Sequence, residues 1–270
     1  MDGAATPTRL VLLGLFAALA VAPSALGAAA SGPTEIAAID LSKPFAARSP
    51  WRFTADQAPP IEDPIGGGDA VPGPIRLCLR QRPAGPCDPQ LNGALGRSDG
   101  DGPFAGPHFL NIARLVRGAA DQPLLLVQTA SIHSGDGDQL VYTQALAYRR
   151  AEDRFVRVYE HQTGHNNSQE VRFIETGPLK GDFIAAEPTR DAPFGFWIVV
   201  SAPAGTAGYR QVLRYRSATR YSDGNPLAVI DSDMPNIEQR LGVWRPGSPL
   251  PLPPGPCARP HLVRAELWCS

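Results

Sequence analysis

An excess of charge of either sign is missing from this sequence: 25 basic and 26 acidic residues leave a net charge of −1. A near-neutral chain offers no basic stripe to a nucleic-acid backbone and no polybasic face to an anionic membrane, so no nucleic-acid partner is expected. The four cysteines include no C-x-x-C pair, which ranks a metal-thiolate site well below disulfide bonding. No H-E-x-x-H pair, no S-x-x-K and no phosphate-cradling glycine loop occurs, so no local motif names a zinc protease, a serine–lysine acyl transfer or a nucleotide site. Beyond residue 30 no apolar run approaches the roughly 20 residues that a helical span needs. Long helices are also disfavoured, because 27 glycines and 29 prolines punctuate the chain and turns follow from both.

The one marked apolar segment is at the beginning. Arg9 precedes Leu10 to Ala22, then Pro23 and Ser24, then Ala25-Leu26-Gly27 and a run of alanines. A basic residue, a short apolar stretch and small residues two apart are the parts of a secretory signal peptide, with cleavage after Gly27 or Ala30. Asp2 is the untypical residue in this leader, and no cysteine stands near the cleavage point to take a lipid. Residues 1–30 are therefore expected to be removed, leaving a secreted or periplasmic protein with no transmembrane segment. An oxidising compartment suits disulfides, and short separations are the easiest to close. Cys78 with Cys87 and Cys257 with Cys269 are the expected pairs.

What the chain does possess is a phrase written twice. Tyr142 to Phe155 reads YTQALAYRRAEDRF, and Tyr209 to Tyr221 reads YRQVLRYRSATRY. Tyr142/Tyr209, Gln144/Gln211, Leu146/Leu213 and Tyr148/Tyr215 match at a spacing of two. That is the side-chain period of a β-strand, so the matching residues are expected on one packed face. Leu124 to Val127 precedes the first copy as a strand, and Phe196 to Val200 precedes the second. Phe155 to Glu160 and Leu227 to Ile230 follow as strands. The unit is an antiparallel meander, duplicated over about 123–160 and 194–231. The fold class is all-β, with repeated meanders closing either as a propeller-like ring, the preferred reading, or as a two-sheet sandwich.

Around this duplication, residues 31–75 read as a Pro/Gly-rich irregular arm and residues 76–270 as a single β domain. Phe109 to Val116 fits a strand or a short helix. A short helix is expected over 234–241, capped by Asp233, with Pro235 in its first turn and Gly242 ending it. Trp244 to Pro256 should be extended, and Leu262 to Trp268 should form a strand.

Candidate sites lie in the loops. His133, Ser134, Asp136 and Asp138 join two strands of the first copy, whereas the corresponding loop 202–208 has neither histidine nor carboxylate. The repeat thus supplies an internal control, and the polar groups are specific to the first loop. Asp136 and Asp138 are weak candidates for Ca²⁺, although the pattern lacks the closing glutamate of an EF-hand; a Gly-Asp turn explains the same composition. Asp99 and Asp101 form a weaker version. His161 and His165 flank a second polar loop, ahead of the sequon Asn166-Asn167-Ser168. Gln144 and Gln211 are expected to bond neighbouring strands from within the packed face. The expectation is an exported, non-catalytic binding or scaffold protein acting on an envelope glycan or protein. A secreted hydrolase of an extracellular polymer, with dispersed acid and base residues, is the alternative.

Overall fold

The structure, a computed structural model, describes residues 32–82, 84–88, 104, 106–135, 137, 139–164, 169–205, 208–219 and 224–270. The expected signal peptide, the Asp99/Asp101 loop and the sequon lie outside these residues. Among the described residues, three antiparallel sheets and one α-helix make up the body of the protein. The first sheet joins β1 (Thr34–Asp40), β2 (Arg52–Gln57) and β5 (Ile75–Arg80); β3 (Ile61–Glu62) and β4 (Ala70–Val71) make a small ribbon beside it. The second is the meander β6 (Phe109–Arg117), β7 (Pro123–Ala130), β8 (Val141–Arg149) and β9 (Arg154–Thr163). The third is the meander β10 (Glu170–Phe173), β11 (Phe183–Pro188), β12 (Phe196–Pro203) and β13 (Tyr209–Arg216). Helix α1 (Val229–Arg240) follows, and β14 (His261–Val263) with β15 (Glu266–Trp268) closes the chain. The all-β class with repeated antiparallel meanders is thus realised.

The apolar runs explain the layering. Leu124 to Val127 is continuous because β7 is covered on both faces, as a fully buried strand should be. Leu125 and Val127 enter a core shared with Phe53, Leu77 and Leu79 of the first sheet. Leu124 and Leu126 enter a second core with Phe173, Phe183 and Val199 of the third. On the far face of the third sheet, Ile184, Ile198 and Val200 pack against Ile230 and Ile237 of α1. The order is therefore first sheet, second sheet, third sheet, helix.

This packing corrects several expectations. Leu146 and Tyr148 face the first sheet, while their counterparts Leu213 and Tyr215 face the helix. The shared faces of the two copies point away from each other, and the reverse faces meet. Propeller blades stack front to back, so the packing between the copies is that of the sandwich. The period-two face also breaks once: Ser201 pairs with Gln211 but Val200 pairs with Leu213. The extra residue is a β-bulge, which turns Tyr209 towards the second core and leaves Gln211 exposed. Gln144, by contrast, is buried as expected.

The second copy has no third strand at 227–230, because Val229 and Ile230 begin α1. The helix starts five residues ahead of 234, its N-cap is Ala228, and Asp233 is buried within it. Gly242 does end it, at φ 75. Residues 34–57, expected in the irregular arm, supply β1 and β2 and bury Phe53 and Ala55. Phe109–Arg117 is a strand, and Leu262 to Trp268 is a hairpin rather than one strand. Both disulfides join the expected partners, Cys78 with Cys87 and Cys257 with Cys269.

The first and second sheets are locked at one corner by Asp153. Its carboxylate accepts hydrogen bonds from Tyr148 Oη at 2.5 Å, Ser49 Oγ at 2.5 Å and Trp51 Nε1 at 3.2 Å. A different carboxylate weakens the fold. Asp182, in the turn before β11, is half-buried, and burial alone pushes its carboxyl from 3.8 up to about 6. A group that binds its proton more tightly when folded contributes stability below the unfolded value of 3.8, and this is lost as pH rises through about 6. Asp182→Asn should therefore stabilise the protein by about 2 kcal/mol at neutral pH, after allowance for partial exposure. Urea titrations should show no such gain below the unfolded value.

Candidate functional site

Residues flanking the two loops singled out by the sequence meet at one end of the second sheet. The loop after β7 is closed by its own polar groups. Ser131 N–H donates to the Leu140 carbonyl at 2.9 Å, and Leu140 N–H donates to Ser131 Oγ at 3.0 Å. Gln139 Nε2 donates to the Ser131 carbonyl at 2.8 Å. Gln169, just ahead of β10, is tied to this frame, because its Nε2 donates to the Gln139 carbonyl at 2.7 Å. Gly164 lies against Leu140 so closely that a Cβ there would sit 2.8 Å from Leu140 Cδ2.

The named residues divide. His133 is exposed and Ser134 is half-buried at the turn, where its carbonyl accepts from Gly137 N–H at 2.8 Å. Asp136, Asp138 and His165 lie outside the described residues. His161 is not a loop residue: it is part of β9, and its Nε2 lies 2.9 Å from Glu187 Oε1 on β11. That contact holds the Glu187 carboxyl below the usual range. His161 thus joins the second and third sheets, and the structure does not gather it with His133. Among the described residues no group of three or more His, Cys, Asp and Glu side chains could hold a metal ion.

Between the ends of the second and third sheets lies a hollow of about 350 Å³. Its lining is mostly amide and hydroxyl: Asn111, Gln128, Gln139, Thr163 and Gln169, with Glu170 at one side. Each reaches it for a local reason. Asn111 is the extra residue of a β-bulge in β6, where Leu110 pairs with Thr129 but Ile112 pairs with Gln128. Gln128 is held by Thr143 Oγ1, to which its Nε2 donates at 2.8 Å. Glu170 pairs with Arg172, and its Oε2 accepts from Ile230 N–H at 3.3 Å. Burial still raises its carboxyl above the ordinary value, with the Arg172 guanidinium opposing.

Two buried side-chain oxygens on residues that line this hollow are unspent. Thr163 is 4% exposed, and neither its Oγ1 nor Gln169 Oε1 has a hydrogen-bond partner among the described residues. A buried polar atom without a partner costs roughly 1–3 kcal/mol. Loop contrast in the sequence pointed to this end of the sheet, but Asn111, Gln128 and Thr163 sit inside strands and carry no motif. In the second-copy loop, Gly208, at φ 89, packs against β9: a Cβ there would sit 2.5 Å from the Val158 carbonyl oxygen.

Motif reading also passes over one catalytic spacing. Gly96-Arg97-Ser98-Asp99-Gly100 fits G-x-S-x-G, but it lies outside the described residues. No known family model matches this chain, and neither curated proteins nor solved structures contain a significant match.

Proposed function

We propose that the protein is an exported, non-catalytic binding protein of the cell envelope, and that it takes an uncharged polyhydroxylated ligand, an envelope glycan, in the amide-lined hollow. The observation that carries this reading is the convergence of residues flanking both polar loops on one recess, two of whose lining residues, Thr163 and Gln169, carry buried side-chain oxygens without a partner among the described residues. Sugar hydroxyls are donors as well as acceptors, so they complete Thr163 Oγ1 and Gln169 Oε1. Amide side chains, which offer both an acceptor and two donors, suit the same ligand. The leader-like residues 1–30 support export to the compartment where such polymers occur.

Thr163→Val separates binding from folding. Removing an unpartnered buried hydroxyl should raise the stability of the free protein by about 1 kcal/mol. The same change should weaken retention on a glycan array or on purified envelope polysaccharide by about tenfold. Equal retention of wild type and variant, or no retention of either, rejects the site. Release of soluble sugar from the polymer would instead identify a hydrolase. His161→Ala is a poor probe, because it also breaks the contact with Glu187 between sheets.

A further inference from the structure

A second recess lies between the end of β10, helix α1 and the proline-rich segment after the helix. It measures about 510 Å³, within the range of small-ligand sites. Its apolar wall comes from Ile174, Leu179 and Met234. Five charged side chains line it: Arg114, Arg172, Glu175, Asp231 and Glu238. Both cations are engaged. Arg114 pairs with Glu175 at 2.6 Å on the exposed rim, and Arg172 pairs with Asp231. One carboxylate is left over. Glu238 is 6% exposed and lines the recess, with no ion pair or side-chain hydrogen bond among the described residues.

The opposite wall has the same preference. Pro251, Pro253 and Pro254 have no N–H, so this strap offers carbonyl acceptors and almost no donors. It is anchored by Trp244, whose Nε1 donates to the Pro249 carbonyl at 2.8 Å. An anion would meet a carboxylate and carbonyls, and a neutral apolar group would leave the carboxylate without a counter-charge. An ammonium group on an alkyl chain satisfies both: its three donors meet Glu238 and the strap carbonyls, and its chain meets the apolar wall.

We propose that this recess binds a primary alkylammonium group with Glu238 as its counter-ion. The proposal is independent of the glycan site, which lies at the other end of β10 and shares none of these five charged residues.

Calorimetric titration of the full chain with hexylammonium chloride, hexanol and sodium hexanoate tests it. Hexylammonium should bind one-to-one, with the alcohol and the carboxylate at least about tenfold weaker. Glu238→Gln should lower hexylammonium affinity about tenfold while leaving hexanol unchanged. Met234→Lys places a tethered ammonium one helical turn from Glu238 and should block the added amine, so it decides the matter even if Glu238→Gln fails to fold. A short acetylated lysine peptide is the second probe. Tighter binding of the peptide assigns the site to a polypeptide side chain, tighter binding of hexylammonium to a free amine, and both results support the site. Hexanol binding as tightly as hexylammonium, unchanged hexylammonium affinity in folded Glu238→Gln or Met234→Lys, or no heat from either amine overturns it.

Discussion

Replacing Phe183 by alanine should destabilise the protein by about 4 kcal/mol, near the upper end for a single core truncation. Phe183 is 0% exposed and belongs to the core between the second and third sheets. Its ring stacks on Tyr159 with centroids 3.7 Å apart, and it also meets Phe173 at 5.0 Å and Tyr209 at 4.9 Å. The cost should be high because the neighbours cannot collapse into the space. Tyr209 Oη is tethered to the Gly181 carbonyl at 2.9 Å, and Tyr159 is held in β9 opposite Ala145. Phe183→Leu keeps most of the volume and should cost under about 1.5 kcal/mol. Urea denaturation followed by fluorescence measures both. If the alanine variant loses less than about 1 kcal/mol, the aromatic cluster does not hold the two meanders together.

The duplicated phrase made the two meanders legible, because Tyr142 to Tyr148 alternates without interruption in β8. It did not disclose the bulge in β13: no glycine marks it, and Tyr-Arg-Gln-Val-Leu reads as plain alternation. The result is that Tyr209 and Tyr215 face different cores although they match at one spacing. The helix start was misplaced for a related reason. Leu227 to Ile230 is β-branched enough to pass for a strand, and Pro235 suggests a first turn. Ile230 and Ile237 are two helical turns apart, and burying both against the third sheet outweighs the proline inside the helix. In the segment 31–75, Trp51, Phe53 and Ala55 alternate at period two, but flanking prolines and glycines masked that signal.

The candidate sites were legible only in part. A loop that differs between two copies is visible in one sequence, and it pointed to the end of the second sheet. Thr163 and Gln169 gain their meaning from having no partner, which is a three-dimensional fact. Glu238 is one acid among 26 acidic residues, and only the engagement of Arg114 and Arg172 elsewhere sets it apart.

Asp233 should prove the least replaceable polar side chain. It is 0% exposed, and its carboxylate accepts from Tyr215 Oη at 2.8 Å, Asn236 Nδ2 at 2.8 Å and the Ser217 hydroxyl. Asp233→Ala leaves these donors without an acceptor and should cost about 3 kcal/mol. Asp233→Asn keeps one acceptor oxygen and the side-chain volume, so it should cost less, and by an amount that depends on pH. Burial holds the Asp233 carboxyl above its ordinary value of 3.8, against the opposing hydrogen bonds. The folded state therefore binds this proton more tightly than the unfolded chain does. The stability this gives wild type is complete below 3.8 and is lost as pH rises through the folded-state value. Asn cannot titrate, so its cost relative to wild type should be greatest in acid and smallest near neutrality. Asp182, Glu170 and Glu238 shift in the same direction, but they are common to both proteins and cancel in the comparison. A cost for Asp233→Asn that grows from acid to neutral pH would mean that the carboxylate is stabilised in its charged form. The three donors would then outweigh burial, and the contact between β13 and α1 would rest on an ionised aspartate.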